Sequence, residues 1–259
     1  MNFPPILGKY KKMYDTHCHL NDDIMLQDID TILSAAARVG VDKIVVPAWD
    51  FKSSKVSIDL AKRYNGTIFA SGGLHPFYVR EDDDFSEFED MAKTGDLCAI
   101  GEIGIDSHYK TEMKWQERAF KEQLDIAQKY ELPVLLHSNR GYDRFFDILK
   151  DFIGIKGVMH GFTAGKEVLS RGLDMGLYVA FNGLITREKT RRAKEAASFA
   201  PLDRILLETD APYITVEGVP QTMCRPEHLL SVAESLAAIK DISLQTVQEV
   251  TTKNSTMLF

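Results

Sequence analysis

Two histidines one residue apart stand near the start of the chain, in the stretch DTHCHL, where His17 and His19 flank Cys18. Alternate side chains of an extended strand point to the same face, so both imidazoles lie on one side and the cysteine on the other. Two imidazoles held this close repel each other once protonated, and a divalent cation removes that conflict. The pair therefore predicts a metal site, because histidine is the commonest metal ligand, although two unrelated surface histidines would read the same way.

Four more residues of metal-binding type end apolar runs elsewhere in the chain. Glu102 lies in AIGEIGID between two glycines, His137 ends PVLLH, His160 ends KGVMH and Asp210 ends RILLETD. A lone histidine in such a place is more often a hydrogen-bonded structural residue than a ligand. Four such ends, in addition to the histidine pair, are hard to explain structurally and indicate one metal centre.

Six nitrogen and oxygen donors exceed the ligand set that one catalytic zinc ion usually takes. They suit two divalent ions about 3.5–4 Å apart that share a carboxylate. The predicted assignment is His17, His19 and Asp210 on one ion, His137 and His160 on the other, and Glu102 between them. The mixed donor set is compatible with Zn, Mn, Co or Mg, and the sequence does not choose among them.

Three residues are predicted to take part in catalysis. Asp210 is expected both to bind one ion and to accept the proton of the attacking water, while Glu102 bridges the ions. His75, in GGLHP, is expected to line the pocket as a substrate contact or proton shuttle, with a structural histidine in the barrel mouth as the alternative. Glu208 shares strand parity with Asp210, so it should face inward and either support a metal ligand or pair with an arginine.

Short apolar segments alternate with amphipathic ones along the chain, a pattern typical of a parallel barrel. The predicted strands are Met13–Leu20, Lys43–Ala48, Thr67–Gly73, Leu97–Ile103, Val134–His137, Gly157–His160, Leu177–Phe181 and Arg204–Glu208. Helices are predicted over Asp28–Val39, Lys52–Tyr64, Lys110–Tyr130, Arg187–Phe199, Pro226–Ile239 and Leu244–Leu258.

A doubly wound open sheet is the competing fold, but it usually carries a glycine-rich phosphate loop after its first strand, where this chain has H-x-H. We therefore expect one (β/α)8 TIM barrel over residues 1–259, with an extra C-terminal helix. All strands of such a barrel end on one face, so residues scattered along the sequence converge there.

Composition narrows the function classes. A net charge of −7 argues against a broad non-specific nucleic-acid surface, which needs excess lysine and arginine. The three cysteines, Cys18, Cys98 and Cys224, form no C-x-x-C pair and fit a reducing compartment. The first twelve residues lack the order of a secretory signal, and no apolar run reaches the length of a membrane span. We expect a cytoplasmic protein with no membrane contact and no obligate protein partner.

Basic and aromatic residues near the predicted strand ends are candidates for substrate contact. Arg187 and Arg191 belong to the basic segment TREKTRRAK, and Arg140 follows the fifth predicted strand. Helix N-termini favour anions, so the segment could contact phosphates, although a solvated helix face is the alternative. The candidates for stacking on splayed bases are Trp49, Phe77, Tyr78 and Tyr213.

The stretches DTHCHL, GLHP, GEIGID, PVLLHS, MHGF and ETDAPY occur in the order and approximate spacing of the TatD-like deoxyribonucleases, which the sequence resembles from Tyr14 to Phe259. These are metal-dependent hydrolases of the amidohydrolase superfamily. The resemblance implies a (β/α)8 barrel, a two-metal centre and hydrolysis of DNA phosphodiester bonds. It places the ligand roles on the six residues already named, and single-stranded DNA ends are the expected partner.

Two places depart from the family pattern. Asn139 stands where the family commonly has arginine, which moves Arg140 one position along, and Arg225-Pro226-Glu227 stands where the family tends to have Asn-Glu-Pro. Both places could contact substrate, so substrate preference is less directly implied than the metal centre. A two-metal amide, lactone or small phosphoester hydrolase is the alternative, because this barrel hosts many chemistries. A non-catalytic metal-binding scaffold is the third hypothesis.

Overall fold

Eight parallel strands form one sheet whose strand order follows the sequence. The structure, a computed structural model, describes residues 11–259. The strands are β1 (Met13–Asp15), β2 (Val41–Val46), β3 (Ile68–Gly72), β4 (Ala99–Asp106), β5 (Val134–Asn139), β6 (Gly157–Met159), β7 (Tyr178–Phe181) and β8 (Ile205–Leu207). The predictions for residues 1–10, that they belong to the same unit and carry no secretory signal, lie outside the described residues.

Helices follow the strands in regular alternation. They are α1 (Asp23–Leu26), α2 (Ile29–Arg38), α3 (Phe51–Arg63), α4 (Ser86–Thr94), α5 (Met113–Lys129), α6 (Tyr142–Leu149), α7 (Lys166–Asp174), α8 (Arg191–Phe199), α9 (Leu229–Lys240) and α10 (Leu244–Leu258). The predicted TIM barrel with an additional C-terminal helix is confirmed. In the described part of the chain, none of the helices is both long and apolar enough to cross a bilayer.

The barrel closes where the first strand meets the last. Thr16 donates its backbone N–H and its hydroxyl to the Leu207 carbonyl, both at 3.0 Å, and Asp210 donates its N–H to the His17 carbonyl at 2.8 Å. Cys18 forms an isolated parallel bridge with Ala211. The strand predicted over Met13–Leu20 is therefore shorter than expected, because beyond Asp15 the backbone bonds alternate between Leu207 of β8 and Val45 of β2 instead of forming a continuous ladder.

Strands β4 and β5 run further than predicted. Their pairing continues through Gly104 opposite His137 to Asp106 opposite Asn139. Glu102 and His137 consequently lie within strands and not at strand ends. The additional strand residues also place the side chain of Asp106 on the same face of the sheet as that of Glu102.

Three predicted helices begin later than expected, among them α5, which begins at Met113 and not at Lys110. Gly183–Thr186 form a 3-10 turn, and Arg187 donates from its guanidinium to the Thr215 carbonyl, so α8 begins only at Arg191. Pro226–His228 form another 3-10 turn before α9. Both turns belong to loops at the strand ends, where backbone shape follows loop contacts more than helical periodicity.

Alternation along the strands separates two apolar layers. In β2, Ile44 and Val46 join the layer between sheet and helices, whereas Val45 joins a smaller cluster inside the barrel. The inner cluster also contains Leu258 of α10, so the final helix contributes to the interior. This filling leaves the other end of the barrel as the place where polar side chains gather.

Gly104 lies in β4 opposite His137 of β5. Its φ is +149°, and a Cβ at this position would stand 1.9 Å from the His137 carbonyl oxygen. We expect Gly104→Ala to lower the free energy of unfolding by about 2–4 kcal/mol, since either the strand backbone shifts or the contact stays strained. Urea unfolding followed by circular dichroism measures the change.

Gly154→Ala is the matched control, because Gly154 has φ +80° but no atom lies within 4 Å of the place that a Cβ would take there. It carries only the cost of an unfavourable backbone conformation, about 1 kcal/mol. Equal losses in the two variants would show that close approach of the strands is not the cause.

Candidate metal centre

The histidine pair forms the first of two donor clusters. The Nε2 atoms of His17 and His19 lie 3.3 Å apart. Glu102 Oε2 is 3.4 Å from His17 Nε2, and Asp210 Oδ1 is 3.4 Å from His19 Nε2 and 4.0 Å from His17 Nε2. A tetrahedron of donors at the usual zinc–nitrogen distance of about 2.1 Å has edges of about 3.4 Å. The three separations of 3.3–3.4 Å match that edge, whereas the 4.0 Å between Asp210 and His17 is longer, so Asp210 lies at the margin of this cluster.

The second cluster contains the other two predicted histidine ligands. Glu102 Oε1 lies 2.7 Å from His160 Nε2 and 2.8 Å from His137 Nδ1, and the two nitrogens are 3.2 Å apart. Glu102 thus faces one cluster with each of its carboxylate oxygens. The structure brings all six predicted ligands together at one end of the barrel, where His17, His19 and Glu102 form a buried group that could hold a metal ion. The other three, His137, His160 and Asp210, are half-buried.

The charges of the cluster are coupled. Burial by itself would raise the pKa of Glu102, but the neighbouring imidazoles of His160 and His75 hold this pKa well below its usual value. Burial would lower the pKa of His160, yet the Glu102 carboxylate raises it well above the usual range. A protonated His160 nitrogen cannot bind a metal ion. We therefore expect the affinity for metal to fall as the pH is lowered through the raised pKa of His160.

Asp106 orients His137 from behind. Its Oδ2 lies 2.8 Å from His137 Nε2, and its Oδ1 accepts the backbone N–H of His108 at 2.7 Å. A carboxylate on the far nitrogen fixes the ring and makes the near nitrogen a better ligand. Asp106 was not among the predicted site residues, although it has the same strand parity as Glu102 in GEIGID and parity could have revealed it.

Glu208 lies inside the barrel, as its parity predicted, but without an arginine partner. Its Oε1 accepts the Gly161 N–H at 2.7 Å and the Asn182 side-chain amide at 3.1 Å, and it lies 3.8 Å from His160 Nδ1. Of the two expectations, support of a metal ligand is the one that these contacts favour. Nothing in the spacing of the sequence pointed to Asn182.

Asp15, in the motif DTHCHL, forms hydrogen bonds with Thr209 in the motif ETDAPY. Its carboxylate accepts the Thr209 N–H at 2.9 Å and the Thr209 hydroxyl at 2.7 Å. Burial raises the pKa of Asp15 to about 8, against the opposing effect of these hydrogen bonds. Asp210, which follows Thr209 in the chain, has a left-handed backbone with φ +53°. Asp15 thereby fixes the residue that precedes this constrained ligand.

His75 lies beside Glu102 as a neutral hydrogen-bond donor. Its Nδ1 accepts the backbone N–H of Phe77 at 3.1 Å, which places the ring proton on Nε2, 3.5 Å from Glu102 Oε1. Burial lowers the pKa of His75 to about 3. The arrangement agrees with the predicted position in the pocket, and the protonated nitrogen is unsuited to bind a metal ion.

A cavity of about 440 Å³ opens above the donor clusters. It is lined by His19, Trp49, His75, Phe77, Tyr78, Glu102, Tyr109, His137, His160, Asp210 and Tyr213. All four aromatic candidates from the sequence are present, and Tyr109 is an addition that the sequence analysis did not name. Within residues 11–259, no lysine or arginine is part of this lining.

The three arginines predicted to contact substrate lie elsewhere. Arg187 donates to Thr215 at 2.8 Å, Arg191 pairs with Glu195 at 2.7 Å on the exposed face of α8, and Arg140 is exposed after β5. Their contact with substrate stays a prediction. The structure does not bring them into the cavity wall.

Asn139 and Arg225, which stand at the two departures from the expected family pattern, also lie outside the described cavity lining. Asn139 donates to Asp106 Oδ2 at 3.4 Å, so it helps to hold the carboxylate behind His137. Arg225 donates to the carbonyls of Thr222 and Cys224 at 2.9 and 2.7 Å, within its own loop. Neither replaces a basic side chain in the cavity.

Comparison with known proteins agrees with this geometry. A sequence model of a family described as TatD related DNase matches residues 14–259. The chain is 29% identical over 252 residues to YabD of Bacillus subtilis strain 168, an uncharacterized metal-dependent hydrolase, covering 95% of this chain and 98% of YabD. It is 30% identical over 255 residues to YjjV of Escherichia coli K12, which carries the same description, covering 96% and 98% of the two chains.

A solved structure shows the same architecture. The crystal structure of YjjV, described as a TatD homolog from Escherichia coli K12, superposes with a TM-score of 0.90 at 29% identity. The match covers 95% of this chain and 97% of that one.

Proposed function

Because the chain belongs to the family of TatD-related DNases and is a metal-dependent hydrolase, we propose that it hydrolyses phosphodiester bonds at single-stranded DNA ends with two divalent ions. The observation that carries the proposal is the position of Glu102. Its two oxygens face separate donor clusters, at 3.4 Å from His17 Nε2 and 2.7 Å from His160 Nε2. A carboxylate shared in this way is typical of two-metal hydrolytic sites.

The proposed ligand roles follow the two clusters. His17, His19 and Asp210 would hold one ion, His137 and His160 would hold the other, and Glu102 would be shared between them. When bound, the ions neutralise and orient an anionic ester and lower the pKa of a bound water. Zn, Mn, Co and Mg remain the candidate metals.

Two side chains supply the proton and hydrogen-bond chemistry. Asp210 lies 14% exposed at the cavity floor, where its carboxylate can accept a proton from an attacking water. The Nε2–H of His75 points into the same cavity and can donate to a phosphoryl oxygen as negative charge develops there. We assign no lysine or arginine to stabilisation of the phosphoryl oxygens, because the described cavity wall has none.

We expect the purified protein to shorten a 5′-labelled or 3′-labelled single-stranded oligonucleotide when Mg²⁺ or Mn²⁺ is present, and to stop when a chelator is added. The physical reason is that the ester is anionic and repels the nucleophile unless cations neutralise it. Denaturing gels read the products, and metal analysis of the same sample gives the number of ions per chain.

An uncharged ester is the second candidate substrate, and the lack of lysine and arginine in the described cavity lining favours it. A panel of lactones, amides and small phosphoesters, assayed beside the oligonucleotides, separates the two. Intact DNA together with turnover of a lactone would overturn the DNA proposal and leave the metal centre in place. Cytoplasmic location stays a prediction from the sequence.

A further inference from the structure

Aromatic side chains at the cavity mouth are exposed in a way that the fold does not require. Phe77, Tyr78 and Tyr109, here called the aromatic rim, have exposed fractions of 48%, 43% and 37%. They come from the loops after β3 and β4 and all line the cavity above the donor clusters. Large exposed apolar surface at a concave polar site is typical of a ligand contact.

The rim is held in a fixed place relative to the site. The ring of Phe77 lies 4.6 Å from Tyr109 and 4.8 Å from Tyr78, both edge-on. Its backbone N–H donates to His75 Nδ1 at 3.1 Å, and its carbonyl accepts the Thr111 hydroxyl at 3.2 Å. The rim is therefore tied through the Phe77 backbone to His75, and both residues line the cavity above the donor clusters.

The charges around the mouth oppose a long polyanion. The described lining has no lysine or arginine, and Asp22 accepts the Tyr213 hydroxyl at 2.6 Å. Affinity for a run of phosphates comes mainly from basic side chains that displace counterions. Stacking of a base on an aromatic ring needs no such charge and tolerates any base sequence.

We infer that the aromatic rim is a subsite for one unstacked base next to the scissile bond. The substrate is then selected through its terminal base and not through the number of its phosphates. A cavity of about 440 Å³ suits a single nucleotide better than a longer stretch of strand. Identification of the ring as a nucleobase rests on the proposed function.

The kinetic test compares two single-stranded oligonucleotides of equal length, one with a base and one abasic at the end that is digested. We expect the wild type to prefer the base-bearing end by about five- to tenfold in kcat/KM, the effect of one base–aromatic stack. Phe77→Ala should abolish this preference by slowing only the base-bearing substrate, and Phe77→Trp should restore it.

Phe199→Ala is the matched control for loss of an exposed aromatic ring. Phe199 is 50% exposed at the end of α8, outside the cavity lining. It should keep the full preference for the base-bearing end. A wild-type enzyme that cuts both ends equally would overturn the inference and leave the DNA proposal intact.

A binding measurement separates the inference from the proposed activity. Trp49 lines the cavity and is one of two tryptophans, so its fluorescence reports a ligand there, and Trp115 on α5 can be replaced by phenylalanine to remove the background. We expect deoxyadenosine monophosphate to bind about five- to tenfold more tightly than deoxyribose 5-phosphate, a difference lost in Phe77→Ala.

The two readouts have distinct failures. If no oligonucleotide is cut but the base-dependent binding is present and needs Phe77, the proposed DNase activity fails and the ring subsite stands. If Phe77→Ala binds both ligands as the wild type does, the subsite is excluded whatever the activity.

Discussion

Glu102→Ala should lose at least about a thousandfold in kcat/KM, equivalent to about 4 kcal/mol of barrier. The side chain lies within 2.7–3.5 Å of nitrogens from His17, His75, His137 and His160. Its removal leaves both clusters without their shared carboxylate and the buried imidazoles without a compensating negative charge. Metal content, measured by elemental analysis on the same sample, should fall by at least one ion per chain.

We expect the folded state to survive this change, because the hydrogen bonds that close the barrel at Thr16 and Asp210 do not involve the Glu102 side chain. Circular dichroism and the elution volume of the variant check that point. Glu249→Ala is the control for loss of a carboxylate, since Glu249 is exposed and its partners among residues 11–259 are Lys11 and Gln245. A folded Glu102→Ala protein that retains its full metal content would exclude the bridging role.

The strand-end rule explains why so much of the centre could be found from the sequence. Glu102, His137, His160 and Asp210 each end an apolar run, and a parallel barrel brings such ends together whatever their separation in the chain. The alternation of side chains along a strand then indicates which face of the sheet each residue occupies. The barrel and the six clustered residues needed nothing more than these two regularities.

What the sequence could not provide was the set of contacts behind the ligands. Asn182 and Thr209 act through single hydrogen bonds to buried carboxylates, and hydrogen-bonding residues of this type occur throughout any sequence. Asp106 is a different case, because its strand parity was available in the sequence, but the predicted strand ended at Ile103 and the pairing with β5 carries β4 on to Asp106. The supporting shell of a site therefore depends on tertiary distances that periodicity does not encode.

The arginines show where the strand-end rule fails, because it predicted substrate contacts for side chains that do not reach the cavity. Arg187 and Arg191 follow β7 at the correct end of the barrel, yet one bonds to Thr215 and the other to Glu195. A long side chain can turn several ångströms away from its strand end, so its position in sequence fixes its loop but not its target. Short ligands such as histidine and aspartate do not have that freedom.

Asp210→Asn should lower kcat by about 10²- to 10⁴-fold, the usual effect of removing a general base. Burial would raise the pKa of Asp210, but the hydrogen bond from His19 and the nearby imidazoles hold it below its usual value. The carboxylate is thus ionised at neutral pH and able to accept a proton. Asparagine keeps the shape and one oxygen but cannot accept that proton, so metal content should fall less than in Glu102→Ala.

Asp241→Asn is the matched control for this variant, because Asp241 has nearly the same backbone, with φ +52° against +53° at Asp210, and is exposed after α9. Asparagine is well tolerated at positive φ, so neither exchange should disturb the backbone. Single-turnover rates across pH, with metal content measured at each point, separate lost proton transfer from lost metal. Activity of Asp210→Asn within tenfold of the wild type, at equal metal content, would assign the proton to another acceptor.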